Sequence, residues 1–423
     1  MTFDLIKEDS REKAILIAVD TGDYDSDVSI NELGELAKTA GAEVVGEMIQ
    51  KRPSTEVATY VGKGRLEEIA EFCEENGVDL IIADGELTPV QVRNIEDITG
   101  TRVVDRTTLI LDIFAGRAKS KEGKLQVELA QLKYSLPRLT GKGASLSRLG
   151  GGIGTRGPGE TKLESDKRHI RCKILSIKEE LDDVERRRNM QHQRRKKNCV
   201  SVAVIVGYTN AGKSTLMNRL TDAGVLQEDK LFATLDPTAR KLVLPNGEQI
   251  MIVDTVGFIS RLPHELVNAF RSTLEEATYA DVILNVCDAS SDECHNHIKT
   301  TNHILEGLFK DGIISVPIIN VFNKCDIAAE LEDKLFFYGA NNTCVKISAK
   351  TGYGIEELLS AIQNALPQTR KRAKLLIPFD KGSIAARLRE NGVVHSEQYT
   401  ADGLEIEVTA DISLLDTIKD YII

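Results

Sequence analysis

The sequence predicts an α/β protein with an N-terminal α/β domain, a long antiparallel helical hairpin, a central domain built on a phosphate loop, and a small α+β C-terminal domain. Short apolar runs alternate with polar helical patterns in two separate stretches of the chain. Two segments of heptad-spaced apolar residues flank a glycine-rich stretch. A β-branched run at 202–206 leads directly into a glycine-rich loop and a helical pattern. The predicted domain boundaries are residues 1–116, 117–198, 199–368 and 369–423.

Length and composition exclude several classes of protein. A chain of 423 residues is too long for one core and should form two to four domains. No apolar run approaches the roughly 20 residues that cross a bilayer, and residues 1–13 lack the apolar segment of a signal peptide. Seven scattered cysteines with no paired spacing favour free thiols in a reducing compartment. We therefore expect a cytoplasmic protein without a transmembrane segment, acting as a monomer.

The N-terminal stretch predicts a small parallel sheet covered by helices. Its apolar, β-branched runs alternate with polar helical patterns, as in βαβ units. The predicted strands are 14–19, 42–49, 80–83 and 101–104. The predicted helices are 33–40, 65–76 and 89–98.

Two apolar stripes predict the helical hairpin. In each, the apolar residues are spaced by four and three positions, which places them on one side of a helix. The stripes are Leu125, Leu129, Leu132, Leu136 and Leu139 in the first helix, and Ile170, Ile174, Ile177, Leu181 and Val184 in the second. Between them, residues 141–159 contain eight glycines, the cations Lys142, Arg148 and Arg156, and no acidic residue. This predicts a glycine-rich tip.

The middle of the chain is basic although the protein is acidic. The net charge is −11, yet residues 117–197 contain 22 Lys and Arg against 10 Asp and Glu. A local excess of this size is the expected footprint of a polyanion, and the tip cations suit phosphate. Two plainer interpretations stay open, a solvated helical face for the basic run and a flexible linker for the tip.

Four short motifs in the second half of the chain stand in the order that builds a guanine-nucleotide switch. The first follows the 202–206 run and precedes a helical pattern at 214–220, the context that a phosphate loop requires. The motifs are Gly207, Tyr208, Thr209, Asn210, Ala211, Gly212, Lys213 and Ser214; Asp254, Thr255, Val256 and Gly257; Asn323, Lys324, Cys325 and Asp326; and Ser348, Ala349 and Lys350.

The residue types in these motifs suit a Mg²⁺–GTP complex. The loop amides and the positive end of the helix cradle phosphate, and Lys213 adds a charge toward the β- and γ-phosphates. The Ser214 hydroxyl can ligate Mg²⁺, Asp254 can hold the metal through a water, and the Gly257 amide can sense the γ-phosphate. These motifs therefore predict that the central domain is a Ras-like P-loop GTPase domain, with GTP or GDP as its ligand.

The last two motifs favour guanine over adenine. Asp326 can accept hydrogen bonds from the N1 and N2 donors of guanine, which adenine lacks. The third motif follows a predicted strand at 317–322, and the last motif offers backbone donors near guanine O6.

A segment between the first two motifs should respond to the γ-phosphate. It comprises Phe232, Ala233, Thr234, Leu235, Asp236, Pro237 and Thr238. One of its threonines should reach Mg²⁺ when the γ-phosphate is present and release it after hydrolysis. We favour Thr234, with Thr238 as the alternative.

Phe258 stands where Ras-like proteins carry the glutamine that orients the attacking water. Since a phenyl ring cannot polarise water, we expect slow intrinsic hydrolysis and a catalytic group from elsewhere. The Asn210 amide oxygen lies where some related GTPases bind a K⁺ ion, and a loop-stabilising hydrogen bond is its plainer role. A partner that orders the switch segments is the other source.

The C-terminal residues predict a small α+β domain. Arg370, Lys371 and Arg372 are interpreted as the start of a linker. A strand at 374–377, a helix at 383–391 and a strand ending at the Asp402–Gly403 turn should follow, with another strand at 404–408.

The chain resembles the HflX family, translation-factor-class GTPases of the Obg-HflX group, over essentially its whole length. Beyond the nucleotide motifs, the resemblance rests on the stretches 104–107, 111–114, 125–132, 150–160, 232–238 and 254–258, including the hydrophobic residue at 258. It implies GTP-dependent binding to the large ribosomal subunit and its rRNA, with the hairpin loop reaching toward the peptidyl-transferase centre. It also implies splitting or rescue of stalled ribosomes under stress, and no role for DNA. The alternative hypothesis is a slow-turnover scaffold that binds RNA and senses GTP and GDP.

Overall fold

Three β-sheets organise the part of the chain that the computed structural model describes. That part comprises residues 11–140, 158–197, 200–221, 231–232, 234–261, 274–309, 312–328, 343–367 and 370–423. The sheets contain four, six and three strands and follow one another along the chain. No helix within these ranges has the length and apolar character needed to cross a membrane.

The first sheet is parallel, with strand order β2-β1-β3-β4. Its central strand β1 is buried on both sides, because helices cover both faces of the sheet. The strands are β1 (Lys13–Asp20), β2 (Glu43–Lys51), β3 (Leu80–Ala83) and β4 (Arg102–Asp105). The helices are α1 (Ser26–Ala40), α2 (Lys63–Asn76), α3 (Pro89–Thr99) and α4 (Arg106–Arg117). The predicted parallel sheet is confirmed; α4 was not predicted.

Two helices, α5 (Lys121–Ser135) and α6 (Pro158–Lys197), follow the first sheet. Ion pairs join Lys121 to Glu180 and Glu128 to Lys173, so the two helices run in opposite directions. Eight residues of the two predicted stripes form one apolar cluster between them: Leu125, Leu129, Leu132 and Leu136 with Ile170, Ile174, Ile177 and Leu181. The pairing of the predicted stripes is confirmed.

The first stripe is shorter than predicted. Helix α5 ends at Ser135, and Pro137 begins a 3₁₀ turn that ends at Thr140. Proline has no amide hydrogen to continue the α-helical hydrogen bonds, so Leu139 lies in the 3₁₀ turn and does not continue the α-helical stripe. Residues 141–157, and with them Lys142, Arg148 and Arg156, lie outside the described residues.

The second sheet has strand order β10-β9-β8-β5-β7-β6, and only β6 is antiparallel to its neighbour. Because the carboxyl ends of parallel strands lie at one edge, the segments that follow β5, β7 and β9 converge there. The strands are β5 (Val202–Gly207), β6 (Thr238–Val243), β7 (Gln249–Asp254), β8 (Val282–Asp288), β9 (Ile318–Asn323) and β10 (Thr343–Lys346). The helices are α7 (Lys213–Thr221), α8 (Cys294–Leu308) and α9 (Ile355–Ala365).

The third sheet is antiparallel, with order β11-β13-β12. The prediction that Arg370, Lys371 and Arg372 begin a linker is wrong, because they are the first residues of β11 and pair with Asp411, Ala410 and Thr409. A cross-strand ion pair between Arg372 and Glu407 supports this pairing. The strands are β11 (Arg370–Ile377), β12 (Val393–Tyr399) and β13 (Leu404–Asp411), with helices α10 (Gly382–Asn391) and α11 (Ile412–Thr417).

The first and second sheets share a hydrophobic core. Phe232 and Leu235, which precede β6, are buried in the same cluster as Leu16 of β1 and Phe114 of α4. The Phe232 ring meets the Phe114 ring edge to face, with 4.6 Å between their centroids. Ile259, after β7, belongs to the same cluster. Two loops of the second α/β unit are therefore anchored in the first.

Truncation of an apolar side chain in the hairpin tests the packing of α5 against α6. Ile177 is 3% exposed and Leu175, on the same helix, is 60% exposed. We expect Ile177→Ala to lower the opening free energy of α5 and α6 amides by about 2–5 kcal/mol, because it leaves a cavity between the helices. Hydrogen exchange measures this. Leu175→Ala is the matched control and should change it by less than about 0.5 kcal/mol. Equal effects would contradict the packing.

Candidate functional site

The phosphate loop joins β5 to α7 in a conformation that only glycine allows at two positions. Gly207 has φ +143°, and a Cβ there would lie 2.2 Å from the Val286 carbonyl oxygen. Gly212 has φ +91°, and its Cβ would lie 2.2 Å from Asn323 Nδ2. The Thr209 amide donates to the Phe258 carbonyl at 2.7 Å, and the Phe258 amide donates to the Gly207 carbonyl at 3.0 Å. The loop is thus held against the segment that follows β7.

The Lys213 amine is buried beneath this loop. Its Nζ donates to the carbonyl oxygens of Gly207 at 3.0 Å and Tyr208 at 2.7 Å. Burial lowers the pKa of Lys213 to about 8, and the Asp254 carboxylate opposes that effect. Gly257 lies against the amine, since a Cβ there would approach Nζ to 2.8 Å. The amine and the backbone of Gly257 therefore face the same small space.

Three side-chain oxygens form a triangle beside the loop. Ser214 Oγ lies 2.9 Å from Thr234 Oγ1 and 3.0 Å from Asp254 Oδ2, and Thr234 Oγ1 lies 3.1 Å from the same Oδ2. The second carboxylate oxygen, Oδ1, is buried and has no hydrogen-bond partner among the described residues. Burial raises the pKa of the Asp254 carboxyl, against the opposing effect of Lys213.

This set of oxygens fits Mg²⁺. The Ser214 and Thr234 oxygens lie 2.9 Å apart, close to the roughly 3 Å that separates neighbouring ligands of an octahedral Mg²⁺ ion. Hydroxyl and carboxylate oxygens are also the donors that this hard cation prefers. The structure brings Thr234 to Ser214 and Asp254, whereas Thr238 is the first residue of β6.

Asn323 links the loop to the last motif. Its buried side chain donates from Nδ2 to the Ala211 carbonyl at 2.8 Å and accepts at Oδ1 from the Ala349 amide at 2.9 Å. Lys324 has φ +62° and donates to Asp288 Oδ2 at 2.6 Å. Asp326 is exposed, and its carboxylate has no hydrogen-bond partner in the described part of the chain. Among the described residues, nothing occupies the carboxylate oxygens that would accept from a ligand.

Two of the three backbone donors predicted in the last motif are already engaged. The Ser348 amide donates to the Tyr353 carbonyl at 3.0 Å, and the Ala349 amide is bonded to Asn323. The Lys350 amide has no acceptor within the described ranges. Arg219 on α7 donates from Nε to the Ala349 carbonyl at 3.1 Å. Sequence reasoning missed Arg219, because no spacing connects α7 to this turn.

Tyr208 and Asp236 face away from the nucleotide motifs. The Tyr208 hydroxyl contacts Glu32 of α1 and Ser260 Oγ, at 2.7 Å from the latter, and its ring stacks on His297 at 3.7 Å. The Asp236 carboxylate accepts from the backbone amides of Lys119 and Ser120 at 2.9 and 2.8 Å. These two side chains hold the site to the N-terminal domain and the hairpin.

The remaining predicted positions are Thr255, Val256, Cys325, Asn210 and Ala233. Thr255 donates to the Ile205 carbonyl at 2.7 Å, and Val256 lies in the shared core. The Cys325 amide donates to the Ile347 carbonyl at 3.2 Å. Asn210 has φ +59°, is exposed, and has no side-chain hydrogen bond to another described residue, so no loop-stabilising bond is seen. Ala233 lies outside the described residues.

Phe258 is a core residue. Its ring is buried in a cluster with Val206 and Tyr208, between β5 and the 274–280 segment. Its backbone holds the phosphate loop through the two hydrogen bonds described above. The residue that replaces glutamine therefore has a packing role.

An ionic cluster that sequence reasoning missed joins the segment after β7 to the N-terminal sheet. Arg261 donates to Asp84 Oδ2 at 2.6 Å and to Ser29 Oγ at 3.1 Å, and stacks on the Tyr24 ring. Arg106 donates to the other oxygen of Asp84 at 2.9 Å. Asp84 directly follows β3, at the sheet edge where α/β domains bind ligands. Its position after a predicted strand was the one sequence signal that could have indicated this cluster.

Three family models match successive parts of the chain. One described as the N-terminal region of GTP-binding GTPases matches residues 27–115, and one described as their middle region matches 117–195. A third, described as 50S ribosome-binding GTPase, matches residues 202–324. The nucleotide motifs up to Lys324 lie within this third match.

Proteins called GTPase HflX match nearly the whole chain. That of Caldanaerobacter subterraneus subsp. tengcongensis is 51% identical over 413 residues, 98% of this chain and 94% of its own. That of Escherichia coli K12 is 40% identical over 397 residues, 93% and 92% of the two chains. The crystal structure of SsGBP with GDP aligns at a TM-score of 0.50 and 28% identity, over 84% of this chain and 98% of that one. Since the identity extends over almost the full length of both sequences, the chain belongs to the HflX family of GTPases.

Proposed function

We propose that this GTPase acts in the cytoplasm, binds the large ribosomal subunit in its GTP state and splits or rescues stalled ribosomes under stress, with hydrolysis driving release. One observation carries the proposal. The segment before β6 contributes Thr234 to the oxygen triangle, and its Phe232 and Leu235 lie in the core shared with the N-terminal domain. Its Asp236 binds Ser120 at the start of α5, which we call the base of the hairpin. A ligand that orders this segment therefore acts on the hairpin as well.

The loop backbone and Lys213 bind the β- and γ-phosphates in this proposal. The amine is buried and bonded only to carbonyl oxygens within the described residues, so a phosphate would compensate its charge. Ser214 and Thr234 would hold Mg²⁺, with Asp254 nearby. That ion supplies charge neutralisation on the phosphate oxygens.

Guanine is recognised by Asp326, with the Lys350 amide as the remaining donor of the last motif. Asp326 is exposed and unpaired within the described residues, as a base acceptor must be before the base arrives. Asn323 fixes the distance between the base side and the phosphate loop, because it bonds Ala211 and Ala349 at once. Loss of either bond should loosen both halves of the pocket.

Hydrolysis by the chain alone should be slow, because the Phe258 ring is in the core and carries no polar group. Two sources for the catalytic group fit the structure. The Asn210 side chain is exposed and makes no hydrogen bond to another described residue, so its oxygen can bind a K⁺ ion. A ribosomal partner can order Thr234 and Gly257 from outside.

The hairpin provides the ribosomal contact. The 141–159 tip contains Lys142, Arg148 and Arg156. The run 186–197, at the far end of α6, contains seven Lys and Arg, of which Arg188 is paired with Glu122 and Glu275. A cationic, glycine-rich tip on a stiff antiparallel pair of helices suits contact with rRNA by shape and phosphate. We propose that the monomer makes this contact and does not bind DNA.

Turnover measurements test the proposed function. We expect GTP hydrolysis to rise at least tenfold when large subunits are added, because a partner supplies or orders the missing catalytic group. Assays in K⁺ and in Na⁺ show whether a cation at Asn210 contributes. Turnover that subunits leave unchanged would instead favour the slow-turnover scaffold that senses GTP and GDP.

Base selectivity is tested by Asp326→Asn. We expect GTP affinity to fall about a hundredfold and xanthosine triphosphate affinity to rise, because the amide matches the altered base edge. Competition binding with both nucleotides measures this. Asp292→Asn is the matched control, since Asp292 is another exposed carboxylate of the domain. Unchanged selectivity in Asp326→Asn would mean that the base pocket is misplaced.

The tip is tested by replacing Arg148 and Arg156 with Ala. Subunit binding should weaken, and the slope of log affinity against log salt should flatten by about 2, since two phosphate contacts are lost. Nucleotide affinity should stay the same. Arg93→Ala, at an exposed arginine of α3, serves as the control. If the double variant bound large subunits as tightly as the wild type, the tip would be a linker and not an rRNA contact.

A further inference from the structure

The base of the hairpin is bonded to the segment that supplies Thr234, and we infer that Asp236 is a positioning residue for the GTP state. It acts by tethering Thr234 to the first turn of α5. This inference rests on the proposed function, because it concerns how the same nucleotide site is coupled to the hairpin.

The Asp236 carboxylate lies at the N-terminus of α5. It accepts from the Lys119 amide at 2.9 Å, from the Ser120 amide at 2.8 Å and from the Ser120 hydroxyl. Ser120 is itself the N-cap of α5, and its Oγ accepts from the Gly123 amide at 2.9 Å. A carboxylate is favoured at the positive end of a helix, so these bonds are charge-assisted.

The tether acts on Thr234 through a short piece of chain in which the intervening residue is buried. Asp236 and Thr234 are separated by Leu235, which is buried in the shared core, and Phe232 is buried on the other side. The three side chains therefore fix the backbone on which the Thr234 hydroxyl is carried. Moving the Asp236 carboxylate should displace that hydroxyl from Ser214 and Asp254, which lie 2.9 and 3.1 Å from it.

Gly123 provides the space for this carboxylate. A Cβ at Gly123 would lie 2.4 Å from Asp236 Oδ1 and 3.2 Å from Ser120 Oγ. Since the helix itself would prefer alanine at this position, the glycine is explained by the contact with Asp236. The atom displaced by a methyl group is the end of a side chain, so α5 can keep its fold.

The second hairpin helix is joined to the same turn. Arg188 of α6 donates from one nitrogen to Glu122 of α5 at 3.0 Å. Its other terminal nitrogen lies 3.5 Å from the Glu275 carboxylate. The first turn of α5 thus meets both the Thr234 segment and α6. By linkage, a ligand that requires Thr234 in place should stabilise this turn, and a partner that fixes the hairpin should tighten that ligand.

The test uses the full chain with Gly123→Ala, and Gly116→Ala as the matched control. Gly116 is an exposed glycine of α4 whose added Cβ would meet nothing within 4 Å. We expect Gly123→Ala to weaken a non-hydrolysable GTP analogue with Mg²⁺ about tenfold and to change Mg²⁺–GDP affinity less than twofold. Gly116→Ala should bind both as the wild type does. Asp236→Asn should act in the same direction as Gly123→Ala.

Hydrogen exchange at residues 119–126 provides the second measurement. In the wild type and in Gly116→Ala, the analogue should protect these amides more than GDP does. In Gly123→Ala and Asp236→Asn that difference should disappear. An unchanged ratio of the two affinities, or an equal loss of both nucleotides, would overturn the inference and leave a structural contact only. Failure of the wild type to bind either nucleotide would instead overturn the proposed function.

Discussion

Lys213 and Asp254 are both buried, and within the described residues neither charge is paired with a hydrogen-bonded group of opposite sign. Removing such groups from water is expensive, and the lowered pKa of Lys213 and the raised pKa of Asp254 reflect that cost. Hydrogen bonds offset this desolvation cost only in part: carbonyl oxygens accept from the Lys213 amine, and hydroxyl groups donate to the Asp254 carboxylate. An anion near Lys213 and a cation near Asp254 would complete the balance, which is what the proposed Mg²⁺-bound nucleotide would supply.

This balance depends on the edge of the parallel sheet at which the loops after β5, β7 and β9 meet. The N-terminal domain reinforces that edge from outside. Asp84 binds Arg261, Glu32 contacts Tyr208, and Ser120 contacts Asp236, so three segments around the pocket are each bonded to the first domain or the hairpin. A movement of any of these segments would therefore also strain its contact with the first domain or the hairpin.

Sequence patterns predicted the elements better than their mutual contacts. The N-terminal parallel sheet, the paired stripes and the strand–loop–helix context of the phosphate loop followed from periodicity and spacing. The contacts of Asp236 with Ser120, Tyr208 with Glu32 and Arg261 with Asp84 span 116, 176 and 177 residues and leave no periodic signal. Two errors were avoidable. Pro137 cannot donate the next α-helical hydrogen bond and so marks the end of α5 before Leu139, and the exposed Arg372 and Lys374 alternate with the buried Ala373 and Leu375, as in a strand.

Phe258 shows how packing and catalysis constrain each other. A glutamine there would place an amide in a cluster of apolar side chains, where it would lack partners, whereas the phenyl ring fills the space beside Val206 and Tyr208. The fold therefore favours a residue at 258 that cannot orient water, and the two sources proposed for the missing group are a K⁺ ion at Asn210 and a partner. The segment that carries Thr234 already touches the hairpin through Asp236. A partner that binds the hairpin can consequently influence the nucleotide site from a distance, without placing a side chain in that site.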